Sequence, residues 1–145
     1  MYILEFINEN YEQNYEVMNV SYADTFMKRL FGLIGKSNFS AMIFKQEYSN
    51  RYKSSIHTCF MKATIDVLYV NHENIIQELV TLRPWKLYIP KNGYIKYIIE
   101  LPENSIEKYN LKQGVKVVIK NEKEKTGQTK ENCTDSYEQN QKKVK

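Results

Sequence analysis

The amino-acid sequence predicts a mainly β domain, a β-sandwich or barrel with one packed amphipathic helix and a short helical turn. Two observations predict this fold class. Most of the chain up to residue 120 consists of short segments that alternate apolar and polar residues or that are wholly apolar, as strands do. One segment has the 3.6-residue spacing of a helix, and it lies between the second and third of these short segments.

Length and composition predict one domain followed by a tail. The chain has 145 residues, of which 42% are hydrophobic, and this is enough for one core. Residues 121–145 are almost entirely polar, so we expect a disordered tail behind a single β-rich domain over residues 1–120. The two cysteines lie far apart in the sequence, and a disulfide framework is not expected.

Charge and hydropathy restrict the environment and the partners. The net charge of +4 is spread along the chain without a dense basic segment, which argues against nucleic acid as the partner. The amino terminus lacks a signal-peptide pattern, and no apolar run is long enough to span a membrane. We therefore expect a cytoplasmic protein without a membrane partner, and the sequence leaves the oligomeric state open.

Eight segments are predicted to be strands from their period-two alternation or their continuous apolar character. Residues 71–74, Asn-His-Glu-Asn, are predicted to form a hairpin loop between two of them. Pro102 is predicted to begin a short helical turn that continues to Tyr109, and Gly114 to open the last strand. The predicted strands are residues 2–7, 14–20, 41–46, 55–61, 66–71, 75–82, 93–101 and 115–120.

The predicted helix follows the second strand. Ser21 is placed as its N-cap, Asp24 completes a capping-box pattern, and Gly35 suits a left-handed stop. We expect this helix to pack across the sheet with one apolar face. The residues of that face are Ala23, Phe26, Met27, Leu30, Phe31 and Ile34.

Residues Ser55–Val70 contain the densest group of side chains that could carry chemistry. If 55–61 is a strand, His57 and Cys59 lie on one face and could form a thiolate–imidazole dyad. The other, mostly apolar face would then carry Ile56, Thr58 and Phe60. The structural alternative is a small buried thiol beside a hydrogen-bonded core histidine. Both alternatives stay open from the sequence.

Asp66 stands at the beginning of a strand that is apolar enough to be buried on both faces. A carboxylate in that position needs partners, which could be backbone N–H groups of a turn, Lys62 or His57. Asp66 could therefore hold the turn that precedes it, or it could form a functional pair with His57. The spacing of His57, Asp66 and His72 matches no standard ligand motif, so we expect neither a metal nor a cofactor.

Trp85 is the only tryptophan of the chain, and it follows Pro84 close to Arg83. A tryptophan in such a loop could be an exposed stacking platform for a sugar or a base. More often, a tryptophan in such a position covers the open end of the sandwich.

Five short motifs occur in an order that resembles the family catalogued as domain of unknown function 192. The resemblance covers residues 15–120, and it implies a compact, jelly-roll-like sandwich with one helix packed on it. It implies little about activity, because the family as a whole has no established one. One departure is Cys59, where many relatives have an aromatic residue. The motifs are Gly32–Gly35, Ala41–Phe44, His57–Lys62 with Ile65–Val67, Tyr97–Pro102 and Leu111–Gly114.

Three functions are compatible with these observations. The first is a non-catalytic module that binds a small molecule, a glycan or a protein partner in a cleft near His57, Asp66 and Trp85, with Lys62 and Arg83 as further candidate ligand-binding residues. The second is a hydrolase that uses His57 with Asp66 or with Cys59. The third is a nucleic-acid accessory protein that uses its scattered lysines. We favour the first, because no complete catalytic constellation is evident.

Overall fold

The computed structural model describes residues 1–10, 13–23, 41–46 and 50–123. These residues form nine strands and one short helix, α1 (Ser105–Lys108). The strands are β1 (Tyr2–Ile7), β2 (Tyr15–Ala23), β3 (Met42–Lys45), β4 (Ile56–His57), β5 (Ile65–Val70), β6 (Ile76–Leu82), β7 (Leu87–Tyr88), β8 (Tyr97–Pro102) and β9 (Lys116–Asn121).

Seven of these strands form one sheet, in the order β6-β5-β8-β3-β2-β1-β9. All neighbours are antiparallel except β2 and β3, which are parallel. The sheet curls until β9 meets the beginning of β6, where Ile75 forms a bridge with Lys116 and the N–H of Gly114 donates to the carbonyl of Ile76 at 2.8 Å. Gly114 has a φ of 98°, which residues with a Cβ rarely adopt. The result is a half-barrel.

The remaining two strands form a separate ribbon. Strand β4 pairs with β7 in antiparallel fashion, so that Ile56 faces Tyr88 and His57 faces Leu87. Ile56 is buried, while His57 and Leu87 are exposed, and the ribbon therefore has one inner and one outer face. The outer face belongs to the candidate site described below.

The core lies on both faces of the central strands. All six residues of β5 are buried, and they alternate between two apolar clusters. Leu68 and Val70 pack with β1 and β9, whereas Val67 and Tyr69 pack with the ribbon residue Ile56. The prediction that this strand is buried on both sides is confirmed, and such double burial is the reason that its sequence is a continuous apolar run.

Most predicted strands are present with similar bounds. The predicted hairpin loop is confirmed, since the N–H of Asn71 donates to the carbonyl of Ile75 at 3.0 Å. The side chain of Asn71 also accepts hydrogen bonds from the N–H groups of Glu73 and Ile75. Asparagine is common in turns because its side chain can accept hydrogen bonds from the backbone of its own loop, and this made the turn recognisable in the sequence. The helical turn predicted after Pro102 is confirmed by α1.

Strand β2 is longer than predicted, and Ser21 belongs to it. The N–H of Ser21 donates to the carbonyl of Ala41 at 2.9 Å, next to the parallel pairing with β3. The assignment of Ser21 as a helix N-cap is therefore wrong, because a strand partner that is distant in sequence extends β2 to Ala23. The rest of the predicted helix, with Asp24 and Gly35, lies outside the described residues, and so does the tail from residue 124 onward.

Two other predicted strands are shorter than expected. The strand predicted over 93–101 begins only at Tyr97, because the N–H of Ile95 donates to the carbonyl of Gly93 in a turn. The strand predicted over 55–61 is reduced to Ile56–His57. The two-residue strand β7 was not predicted. The jelly-roll arrangement and the packed helix stay predictions.

Candidate functional site: an exposed aromatic corner

Two loops meet around the buried side chain of Thr58, which follows β4. Its hydroxyl donates to the carbonyl of Arg83 at 2.6 Å and accepts from the N–H of Lys86 at 2.8 Å. Its backbone N–H donates to the carbonyl of Lys86 at 2.8 Å, and its carbonyl accepts from the N–H of Trp85 at 2.9 Å. Thr58 therefore joins the loop after β4 to the loop before β7 through four hydrogen bonds.

These bonds hold three large apolar side chains in solvent, and we name Phe60, Trp85 and Leu87 the aromatic corner. Phe60 is 63% exposed, Trp85 62% and Leu87 67%. The rings of Phe60 and Trp85 contact each other with centroids 4.8 Å apart and planes inclined at 58°. The contact joins the exposed surfaces of the two rings, and a continuous exposed apolar surface often marks an interaction site.

The backbone of the aromatic corner is strained. Phe60 has a φ of 64° and Trp85 a φ of 61°, which places both residues in the left-handed region. This conformation costs roughly 1–2 kcal/mol for a residue with a side chain, and it is unusual for bulky residues. Strain that the surrounding hydrogen bonds impose is typical of functional sites. Here it turns both rings outward.

The charged side chains close in sequence to the aromatic corner are basic. Lys62, Arg83 and Lys86 are exposed, and segments 55–62 and 83–89 contain no Asp or Glu. His57 is also exposed, opposite Leu87 in the ribbon. The two segments that carry the aromatic corner therefore contain positively charged side chains and no negatively charged ones.

Asp66 lies apart from this surface and has structural partners. It is buried, and one of its oxygens accepts from the hydroxyl of Thr81 at 2.7 Å. The other accepts from the N–H of Ile106 at 2.9 Å, in the first turn of α1. The carboxylate thus joins β5 to β6 and to α1. Among the hydrogen bonds of the described residues, none connects Asp66 with His57.

Cys59 is a free, partly exposed thiol in the loop between Thr58 and Phe60. The prediction that His57 and Cys59 share a strand face required a strand to residue 61, and that strand ends at His57. The sequence also assigned Phe60 to an apolar inner face. Its position in solvent follows from its left-handed φ, for which the sequence carries no glycine or asparagine as a signal.

The structure groups the predicted site residues differently from the sequence. His57, Lys62, Arg83 and Trp85 belong to the two segments joined by Thr58, whereas Asp66 belongs to the core. Thr58, Phe60 and Leu87 were missed. In the described part of the chain, no three His, Cys, Asp or Glu side chains lie close enough to hold a metal ion. No helix in that part is long and apolar enough to cross a membrane.

The fold and this surface define a small, mainly β half-barrel domain with an exposed aromatic corner. A family model matches residues 7–119, and the chain belongs to that family, DUF192, which is described as uncharacterised. The resemblance that the sequence motifs suggested is thereby confirmed.

Archaeal relatives agree with this assignment. An uncharacterised UPF0127 protein of Pyrococcus abyssi is 36% identical over 111 residues, which cover 77% of this chain and 93% of the relative. A UPF0127 protein of Thermococcus sibiricus is 37% identical over 108 residues, covering 74% of this chain and 70% of the relative. Their names carry no activity.

Two solved structures share the fold at low sequence identity. A protein of unknown function from Novosphingobium aromaticivorans aligns with a TM-score of 0.67 and 13% identity, over 80% of this chain and 83% of its own. A Sinorhizobium meliloti protein, provisionally described as a transcription regulator, aligns with a TM-score of 0.70 and 14% identity, over 81% of this chain and 92% of its own. This likeness concerns the fold alone.

Proposed function

We propose that the protein is a non-catalytic binding module whose aromatic corner docks onto an acidic, partly apolar segment of a partner protein. One observation carries the proposal. Two bulky aromatic residues are held in a left-handed conformation and exposed to water by a buried threonine. The left-handed conformation costs folding free energy and the exposed rings gain little from burial, so a benefit outside folding explains the pair best.

The inclination of the two rings favours a protein side chain over a sugar or a base. Sugars and bases stack on one flat aromatic face. The planes of Phe60 and Trp85 are inclined at 58°, and together they form a wedge rather than a platform. A wedge of this kind suits an aliphatic or aromatic side chain, and tryptophan and arginine are enriched among the residues that dominate protein interfaces.

The surrounding charge favours an acidic partner. Lys62, Arg83 and Lys86 are exposed and have no acidic residue in their own segments. Complementary charge accelerates encounter and excludes basic partners, although exposed ion pairs add little affinity by themselves. An acidic segment with one apolar anchor would satisfy both the wedge and the charge.

The hydrolase hypothesis has less support. The carboxylate of Asp66 is engaged by Thr81 and by the N–H of Ile106, so it is poorly placed to orient His57. A nucleic-acid accessory role would depend on phosphate contacts from the scattered lysines, and it would not explain why the two rings are exposed. We therefore keep both alternatives as outcomes of the following test.

The test measures binding of labelled acidic peptides that contain one Leu, Phe or Trp. We expect fluorescence anisotropy to detect dissociation constants of about 1–100 μM, and added salt to weaken the binding. Phe60→Ala and Trp85→Ala should each weaken it at least about tenfold, which corresponds to ~1.4 kcal/mol. Met18→Ala is the matched control, because Met18 is an exposed apolar residue of β2, outside the ribbon.

Three results would contradict the proposal. Peptides in which lysine replaces each acid could bind equally well, which would exclude the charge argument. Single-stranded nucleic acid could bind in place of the peptides, with the same dependence on Trp85. Finally, all peptides could fail to bind the wild type, which would exclude an acidic protein segment as the ligand.

A further inference from the structure

A second concave region lies away from the aromatic corner, where β1 and α1 end and β2 and β9 begin. Its volume is about 390 Å³, within the range of small-molecule sites. We name it the amide cavity, because its described lining includes the side chains of Asn8, Asn10, Gln13 and Asn110. None of its described lining residues is charged.

The lining chemistry selects a neutral ligand with many hydroxyl groups. A carboxamide offers both a donor and an acceptor, and a hydroxyl group offers the same combination. Four such groups around one cavity can bond several hydroxyls without any charge. A carboxylate or phosphate ligand would find no cationic partner among the described lining residues.

Two tyrosines supply an apolar surface within the same cavity. The ring of Tyr109 contacts Phe6 at a centroid distance of 6.0 Å and Tyr15 at 5.8 Å, the latter edge to face. These contacts restrict the orientation of Tyr109. A saccharide combines hydroxyl groups at its edge with an apolar C–H face, and aromatic rings pack against such a face.

The local backbone presets the position of the amides. Asn110 has a φ of 50°, and its N–H donates to the carbonyl of Glu107 at 3.1 Å, so that it follows α1 directly. The side-chain oxygen of Asn8 accepts from the N–H of Asn10 at 3.2 Å, which shapes the turn after β1. A preset site binds with a smaller entropic cost than a mobile one.

A smaller cavity of about 260 Å³ lies beside the amide cavity and shares Asn8, Asn10 and Val115 with it. Its lining includes Gln113 as a further carboxamide, but also the charged residues Glu9 and Lys112. The amide cavity itself combines carboxamides with a tyrosine surface, and its described lining has no charged residue. From this combination we infer that the amide cavity binds a neutral saccharide, independently of the aromatic corner.

The test is saturation-transfer NMR on the full chain with neutral trisaccharides of glucose, mannose and N-acetylglucosamine, at concentrations up to about 10 mM. At least one should receive saturation from the protein. Gln13→Ala and Asn110→Gly should each weaken that binding about fivefold or more. Glycine is chosen at position 110 because it accepts the left-handed φ, so the fold is retained.

Two controls locate the site. Asn92 is an exposed carboxamide that does not line the cavity, and Asn92→Ala should leave the binding unchanged. Trp85→Ala should also leave it unchanged. The inference is overturned when no trisaccharide binds, or when the two cavity variants bind as well as the wild type. It is also overturned when Trp85→Ala abolishes the binding, because the sugar would then bind at the aromatic corner and not in the amide cavity.

Discussion

Charged side chains are usually exposed and large aromatic side chains are usually buried, and Asp66 and the aromatic corner are opposite exceptions to this rule. Asp66 is a carboxylate that is only 1% exposed, whereas Phe60 and Trp85 are large aromatic residues that are more than 60% exposed. The burial of a carboxylate opposes folding when it is considered alone, and the exposed rings contribute little to folding because they stay in water. The two exceptions differ in whether the fold compensates for them.

The burial of Asp66 is compensated within the molecule. Its two oxygens accept hydrogen bonds from Thr81 and Ile106, so it joins three elements that would otherwise pack through apolar contacts alone. Among the described residues, no comparable interaction offsets the exposure of the aromatic corner, which the hydrogen bonds of Thr58 maintain. Consequently a function is better sought at the corner than at the buried acid.

The largest expected effect concerns Asp66. Asp66→Ala removes a buried carboxylate and leaves the N–H of Ile106 and the hydroxyl of Thr81 without the acceptor that joins β6 and α1 to β5. We expect the free energy of unfolding to fall by about 3 kcal/mol, as measured by urea denaturation. Asp66→Asn keeps one acceptor oxygen and should lose about half as much.

The same variants also test the comparison between the two regions. The folded fraction of Asp66→Asn should bind the acidic peptides with wild-type affinity, because Asp66 does not contact the aromatic corner. An Asp66→Asn protein of unchanged stability that binds no peptide would reverse the assignment and place Asp66 in the functional site.

A smaller effect is expected from the strain at Phe60. Phe60→Ala removes the ring but keeps a Cβ in the left-handed conformation, whereas Phe60→Gly removes the ring and the strain together. We expect the glycine variant to be more stable than the alanine variant by about 1 kcal/mol in urea denaturation. Both variants should lose peptide binding equally.

Met18 provides the control for this comparison, since it is exposed and its own φ is not positive, although it lies at the register shift of β2 against β1. There Met18→Gly should be less stable than Met18→Ala, because glycine relieves no strain and loses more backbone freedom on folding. The same order of stability at Phe60 would show that its backbone is unstrained, and the argument for function from strain would then fail.

The two regions also differ in how well the sequence predicted them. Strand β5 and its hairpin with β6 were predictable, because double burial produces a continuous apolar run and Asn71 marks the turn. For Asp66, the sequence predicted only that the carboxylate needs hydrogen-bonding or charged partners. Its actual partners, Thr81 and Ile106, are 15 and 40 residues away, and no local pattern reports such distances.

The aromatic corner was largely hidden in the sequence. Trp85 was a candidate because it is the only tryptophan and follows a proline. Phe60 was assigned to the wrong face, because the period-two alternation of side chains holds only within a strand, and we predicted that the strand continues beyond His57. The strand ends there since Thr58 bonds to a loop that begins 25 residues later, and this tertiary contact overrides the local pattern.

The smallest expected effect concerns the attachment of the ribbon that carries the aromatic corner. The hydroxyl of Tyr88 in β7 donates to Glu78 of β6, and the same carboxylate accepts from the N–H of Lys91 at 2.9 Å. Burial, and then the hydrogen bond and charge of Glu78, raise the pKa of Tyr88 to about 12.

Because the pKa of Tyr88 is raised in the folded state, its contribution to stability is complete below the unfolded value of about 10 and is lost as pH rises towards 12. Tyr88→Phe lacks this group. The difference in urea midpoint between wild type and Tyr88→Phe should therefore become smaller as the pH rises from about 9 to about 11.5. The titration of the other tyrosines and of the lysines changes the midpoints of both proteins alike, so it does not change this difference. The emission of Trp85 should report loosening of the corner over the same range in the wild type. A constant difference in midpoint would mean that Tyr88 does not bond Glu78, and that the ribbon is held by Thr58 and apolar contacts alone.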